Sequence, residues 1–158
     1  MNKILQERLF NEFPKIFGEK DLSPQQTCMC WGIDTDDGWF LLLYKLCKHL
    51  QWDTDKNKYP QVIATQVKEK FGTLRFYYAL DCSENAGKED ERTSVRRCAE
   101  HDGAIQFAEN MSSIICEACG QMDETVEAKI RGRWYKTLCA FCAEPLGYEK
   151  ILVKEDEA

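Results

Sequence analysis

Val62-Ile63-Ala64-Thr65-Gln66-Val67-Lys68-Glu69-Lys70-Phe71-Gly72-Thr73-Leu74-Arg75-Phe76-Tyr77-Tyr78-Ala79-Leu80 is the stretch on which the fold turns. Residues alternate in polarity on both sides of Gly72, the pattern of two half-buried strands joined by a tight turn. Sorting sets the register. With an even loop, Lys70/Thr73, Lys68/Arg75, Gln66/Tyr77 and Ala64/Ala79 share one face. Glu69/Leu74, Val67/Phe76, Thr65/Tyr78 and Ile63/Leu80 then share the other. One face is mostly apolar and its opposite polar and basic. An odd loop without a compensating bulge would set Lys68 beside Leu74, and a slip that moves side chains to the wrong face is costly. The even register is expected, although Phe-Gly is not a favoured two-residue turn.

Helices flank this hairpin. Ile4, Leu5, Leu9, Phe10 and Phe13 recur at helical spacing over residues 3–13, and Pro14 ends that helix. Ile16 and Phe17 should pin the next turn to the core. Residues 18–36 read as loop. Asp36 and Asp37 offer N-cap chemistry to a helix over 37–51. Its stripe is Trp39, Leu42, Leu43, Leu46 and Leu50, and Lys48-His49 suits its C-terminal end. Residues 53–58 read as a polar connection to Pro60. Residues 81–94 read as an exposed charged loop open to proteolysis. A helix follows over 94–112, broken or not at Gly103, with Cys98, Ile105, Ala108 and Met111 inward.

The C-terminal part carries Cys116-Glu117-Ala118-Cys119-Gly120 and, after 19 intervening residues, Cys139-Ala140-Phe141-Cys142. This is the spacing of a four-thiolate zinc site built from Cys116, Cys119, Cys139 and Cys142. Two disulfides or free thiols are the alternative. Four thiolates leave no open position, so Zn²⁺ here would be structural. The insert reads as a hairpin: Val126, Ala128 and Ile130 alternate, Arg131-Gly132-Arg133 turns, and Trp134, Lys136 and Leu138 return. The expected architecture is an α+β domain with an antiparallel sheet and helices over 1–112, a zinc ribbon over 113–145, and a tail over 146–158 whose acidic end frays.

Composition bounds the function. The 158 residues carry a net charge of −6, which disfavours general polyanion binding. No run of about eighteen apolar residues predicts a membrane span, and the N-terminus lacks the features of a signal peptide. Of 9 cysteines, Cys28, Cys30, Cys47, Cys82 and Cys98 lie outside the zinc set, which suggests a reducing cytoplasm. Cys28-Met29-Cys30 reads as buried thiols. Whether Cys28, Cys30, Cys98 and His101 form a second metal site stays open.

The polar hairpin face is the best candidate binding site. Lys68 opposes Arg75, with Lys70 one pair away, and like charges directly opposed across strands are destabilising. A phosphate or carboxylate would relieve this, Arg75 binding it bidentately, while Tyr77 and Gln66 could stack on or hydrogen-bond a base. The bland alternative is a solvated or salt-bridged face. Arg131, Arg133 and Lys136 around Trp134 and Tyr135 form a second candidate at the ribbon tip, with Glu117, Asp123, Glu124 and Glu127 near enough to neutralise it; there the expectation is a solvated hairpin with Trp134 packed on the body. Catalysis is not indicated. His49 and His101 belong to no nucleophile or zinc-protease motif, and a helix N-terminus accounts for Asp36 and Asp37 more simply than Mg²⁺ held with Asp34.

Gln66 to Tyr77, together with Asp37-Gly38-Trp39-Phe40, Ala104-Ile105 through Ala108-Glu109, Ser112, Cys116 to Gly120 and Thr137-Leu138-Cys139, resembles a widespread group of uncharacterised phage and prophage proteins. The match spans roughly residues 36–142. Some members of that group have a less complete second cysteine pair, whereas Cys139 and Cys142 are both present here. The resemblance implies a viral or mobile-element origin acting in the cytoplasm of a bacterial host, and no activity. The resulting expectation is a non-enzymatic binding protein, a counter-defence or host-takeover factor. Its ligand would be a phosphate-bearing nucleotide or a host protein. A nucleic-acid-binding zinc-ribbon regulator and a hydrolase with an unrecognised acidic site are the alternatives, and a homo-oligomer is open.

Overall fold

The computed structural model describes residues 1–83 and 90–151. Within them the chain is α+β, with two three-stranded sheets. The first sheet has the order β1 (Ile33–Asp34), β2 (Gln61–Lys70), β3 (Thr73–Asp81). The hairpin register is the even one near the turn, from Lys70↔Thr73 through Lys68↔Arg75 to Gln66↔Tyr77. Phe71 and Gly72 form the two-residue turn at φ 54° and 80°. Both are left-handed, as a turn matching the strand twist requires. Gly72 adopts this freely; for Phe71 it costs roughly 1–2 kcal/mol.

Further along, the expected pairs are wrong. A bulge falls between Ala64 and Gln66, so Ala64 pairs with Tyr78, Ile63 with Ala79 and Val62 with Leu80. The bulge turns Val62 and Ala64 inward beside Val67. Strict alternation would have buried Thr65 and Ile63 instead. The Thr65 carbonyl accepts from Thr27 Oγ1 at 3.2 Å, and the Ala64 N–H donates to the Ile16 carbonyl at 2.8 Å. The sheet is also mixed, not purely antiparallel, because β1 runs parallel to β2 with Ile33 opposite Val67. A two-residue strand has too short a pattern to be read in the 18–36 stretch.

Helix α1 (Lys3–Glu12) is capped by the Asn2 side chain, and Leu9, Phe13, Ile16 and Phe17 enter the core, whereas Ile4 stands outside it. Helix α2 (Phe40–Asn57) starts later and ends later than expected. Asp36 and Asp37 do not cap it, since a 3₁₀ turn over Asp37–Trp39 intervenes. Both carboxylates have other partners: Asp37 accepts from Asn2, and Asp36 from Lys136 Nζ. The helix runs past Lys48-His49 until Lys58 at φ 58°, just before Pro60. Helix α3 (Glu91–Met111) is capped by Asp90, whose carboxylate accepts from the Thr93 N–H at 3.0 Å, and it passes Gly103 unbroken. Of the loop expected over 81–94, residues 84–89 lie outside the described residues.

One face of the first sheet carries the core. Trp39, Leu43 and Leu50 of the α2 region and Ile105 and Ala108 of α3 pack with Val67, Leu74 and Phe76. The outer edge of β3 is covered by α3 and the turn after it: Leu74 N–H donates to Ser112 Oγ and Phe76 N–H to Glu109 Oε1, each at 2.8 Å. Edge N–H groups satisfied in this way are not open to another strand.

The second sheet has the order β5 (Trp134–Leu138), β4 (Glu127–Arg131), β6 (Glu149–Lys150) and is antiparallel. With helix α4 (Ala140–Leu146) it encloses a separate small core of Cys116, Val126, Leu138, Cys139, Ala143 and Tyr148. The alternation of Val126, Ala128 and Ile130 does not mark the buried side of this hairpin. Ala128 is exposed and Lys129 is buried, its ammonium donating to the Thr125 and Leu138 carbonyls at 2.9 Å. A lysine that satisfies its charge on backbone carbonyls can occupy an inward position that a polarity pattern would not give it. The tail does not begin at 146 either, because Tyr148 is buried and β6 pairs with β4; residues 152–158 lie outside the described residues.

His101 of α3 is fully buried, lies 5.1 Å from the Tyr59 ring, and has no hydrogen-bond partner on either nitrogen. Burial holds its pKa below the ordinary histidine range, against the pull of Asp53 and Glu100, while His49 adds to the lowering. The unfolded chain therefore takes up this proton first as pH falls, and stability drops below about pH 6.5. His101→Leu should flatten that part of the acid limb in urea unfolding between pH 7.5 and 5. An unchanged limb would assign it to another group.

Candidate metal centre and the basic sheet face

The four cysteines come together. The Sγ atoms of Cys116, Cys119, Cys139 and Cys142 all lie within 4.8 Å of one another. The Cys119–Cys139 separation is 3.8 Å, close to the edge of about 3.8 Å of a tetrahedron with metal–sulfur bonds near 2.3 Å. None of the 9 cysteines is bridged. Each pair is shaped by its own turn, the Gly120 N–H donating to the Cys116 carbonyl at 2.8 Å and the Ala143 N–H to Cys139 at 3.0 Å. The cluster could hold a metal ion, and four soft thiolate donors, which fill a tetrahedral coordination shell by themselves, suit a structural one.

The same segment docks on the sheet-bearing body. Glu117, between the first two cysteines, is wholly buried. Its backbone N–H donates to the Thr137 carbonyl at 2.8 Å, and its carbonyl accepts from the Gly38 N–H at 2.7 Å. Its Oε1 accepts from Lys136 Nζ at 2.8 Å and from the Asp36 N–H at 3.1 Å, while Lys136 Nζ also donates to Asp36 Oδ2 at 2.6 Å. Glu117 Oε2 has no partner. Burial raises the Glu117 pKa even though Lys136 opposes the rise. Burial pulls Lys136 down, yet the two carboxylates carry it above its ordinary range. Trp39 Nε1 donates to the Ile115 carbonyl at 2.9 Å, and Thr137 Oγ1 to the Gly72 carbonyl of the hairpin turn at 2.6 Å.

Gly38 lies so close that a Cβ there would collide with backbone atoms of Cys116, Glu117 and Gly120. Asp36 to Trp39, the Phe71-Gly72 turn, Cys116 to Gly120 and Thr137 to Cys139 therefore meet at one junction. The sequence pattern puts Lys136 at the ribbon tip and makes Glu117 a surface neutraliser. Both are junction residues, and the only sequence signal is a lone acid between the two cysteines of a C-x₂-C pair.

On the open face of the first sheet, Lys68 is the register partner of Arg75, and Gln66 of Tyr77. The strand β1 adds Asp34 beside Lys68 on its other side. The two cations diverge: Lys68 Nζ is 5.8 Å from the Tyr77 ring, and Arg75 Nη1 donates to the Leu74 carbonyl at 2.8 Å. Lys70 Nζ is 5.6 Å from the Phe71 ring. Among the described residues no carboxylate lies within 4.0 Å of Lys68, Lys70 or Arg75.

At the other candidate surface, Arg131 is occupied with the Leu146 carbonyl and the Tyr148 ring. Trp134, expected to pack on the body, is 71 % exposed. Among the described residues the four-cysteine cluster is the only group of three or more gathered metal-ligating side chains, so neither Cys28, Cys30, Cys98 and His101 nor the three N-terminal aspartates form one. Cys28 is exposed, not buried, and Cys30 donates to the Thr27 carbonyl.

In comparisons with known proteins, no family model, no curated protein and no solved structure matches the chain. Among the described residues no helix is long and apolar enough to cross a membrane.

The collision at Gly38 gives a direct test of the junction. Gly38→Ala must displace backbone, not a flexible side chain, so it should destabilise the protein by about 3 kcal/mol, the upper end for overpacking. Urea melts followed by tryptophan fluorescence measure this; a cost under about 0.5 kcal/mol would mean that the contact yields freely.

Proposed function

We propose that this chain is a non-enzymatic, zinc-stabilised binding protein that takes a phosphate-bearing nucleotide on the basic face of its first sheet. The observation that carries the ligand class is the pairing of Lys68 with Arg75 on a face with no carboxylate in ion-pair reach among the described residues. Like charges on opposed residues cost the empty fold up to about 1 kcal/mol, and less where the side chains diverge as these do. An anion reverses that sign. Arg75 uses one N–H donor on the Leu74 carbonyl and keeps others for a phosphate, which a guanidinium can grip through two parallel bonds. Tyr77, 42 % exposed, borders the pair and offers a ring to a base. The phage or prophage setting, with a counter-defence or host-takeover role in the host cytoplasm, rests on the sequence resemblance alone.

In this reading the C-terminal lobe is a zinc ribbon, with Cys116, Cys119, Cys139 and Cys142 holding one structural Zn²⁺ per chain. The spacing of the pairs and the 3.8 Å sulfur separation support it. Because ligation is coupled to folding, Cys139→Ser should unfold the lobe locally. Metal analysis of purified protein should find about one zinc per chain; a full equivalent retained by a Cys116→Ser/Cys139→Ser double variant would refute the ligand set.

The anion site is tested by thermal melts against mono-, di- and cyclic nucleotides. At about one hundred times its dissociation constant, a ligand should add roughly 2.7 kcal/mol to the wild type. Arg75→Gln should leave the empty protein equally or more stable and abolish that gain. If no nucleotide stabilises the wild type, or if Arg75→Gln still responds, the face is an ordinary solvated surface.

A further inference from the structure

We infer that the ligand of the basic face is a single-stranded oligonucleotide, with Phe71 as a base-stacking platform at one end of it. This rests on the nucleotide reading above and narrows it. Phe71 is the observation that reading leaves unused. It holds φ 54° in a turn that favours Asn, Asp or Gly, and the residue is 69 % exposed. Burial therefore does not account for a bulky residue in an unfavourable backbone conformation, and such conformations gather at functional sites. The ring is also held in place. Thr137 Oγ1 fixes the turn through the Gly72 carbonyl, and Tyr135 meets Phe71 edge-on at 6.2 Å.

The surroundings indicate what would stack there. Lys68 lies by Tyr77 and Lys70 by Phe71, with Arg75 opposite Lys68. Two rings, Tyr77 and Phe71, thus bracket three cations along the hairpin from the Gln66/Tyr77 pair to the turn. Those five residues of strand cover about 17 Å, more than one base and its phosphate reach. Cations that follow a backbone, with rings for successive bases, are how single strands are bound without sequence preference. A duplex fits poorly, since its bases already stack on each other and the net charge of −6 repels a long polyanion.

The test uses the full chain with its metal and compares eight-nucleotide oligothymidylate and oligouridylate with dTMP and UMP by fluorescence-anisotropy competition. The oligonucleotides should bind at least tenfold tighter than the mononucleotides. Three cations predict a slope of log affinity on log salt of about −2 for a single strand, and the DNA and RNA arms report whether the 2′-hydroxyl matters. Phe71→Asn installs the favoured Asn-Gly turn, so it should melt at the same temperature or higher. It should nonetheless lose about tenfold in oligonucleotide affinity and leave mononucleotide affinity unchanged. If oligonucleotides bind no tighter than mononucleotides, or Phe71→Asn binds them as the wild type does, the inference fails while the nucleotide reading stands. If neither class binds, both fail.

Discussion

The structure depends on one buried contact, the Glu117 carboxylate against the Lys136 ammonium. A carboxylate wholly out of water is tolerated only when its charge is met, and Lys136 and the Asp36 N–H meet it on one oxygen. Breaking such a pair by removing one partner leaves an uncompensated charge in a poorly solvating interior, which is why one-sided loss is far more damaging than replacement of both. Glu117 also stands between Cys116 and Cys119 of the four-cysteine cluster. The geometry that brings Cys116 and Cys119 toward one point therefore also aims Glu117 into the junction. The four-cysteine cluster and the docking contact share one short segment of backbone, so disturbing either disturbs both.

The junction also governs the surface proposed to bind. The hairpin turn is not a free tip, because its Gly72 carbonyl accepts from Thr137, next but one to Cys139. A phenylalanine in the left-handed region persists only where neighbours hold it, and here the neighbour is the lobe that carries the four-cysteine cluster. The open face and the four-cysteine cluster are thus linked through this turn, although they belong to different cores.

Charge is distributed unevenly about this frame. Acidic residues outnumber basic ones, yet many acids are already engaged. Glu12 pairs with Arg8, Glu100 with Arg96, and Glu127 with Lys129 and Lys150. Lys68, Lys70 and Arg75 have no such partner within ion-pair distance among the described residues. A protein of acidic total charge can then present a local cationic row, short enough for a small anion or a short strand and too short to hold a long duplex against the repulsion of the rest.

Sequence alone determined what depends on local rules. The period-two pattern around Gly72 specified the hairpin and its even register from Gln66 to Tyr77, because a slip would reverse every side chain. The C-x₂-C spacing specified which four cysteines gather. The stripe from Trp39 to Leu50 specified a core helix, though not its ends. What the tertiary structure decided lies where distant segments meet. The bulge at Thr65 exists because Ile16 and Thr27 supply partners for it, and neither is near in sequence. Asp36 and Asp37 look like helix caps until Lys136 and Asn2 take them. Lys129 turns inward because two carbonyls of its own lobe receive its charge. Gly38 has no local reason to be glycine at all; it is excluded from having a side chain by a cysteine knuckle some eighty residues away. A sequence pattern records what each element prefers by itself, and these positions are set by steric exclusion and charge compensation between elements, which only the packed chain supplies.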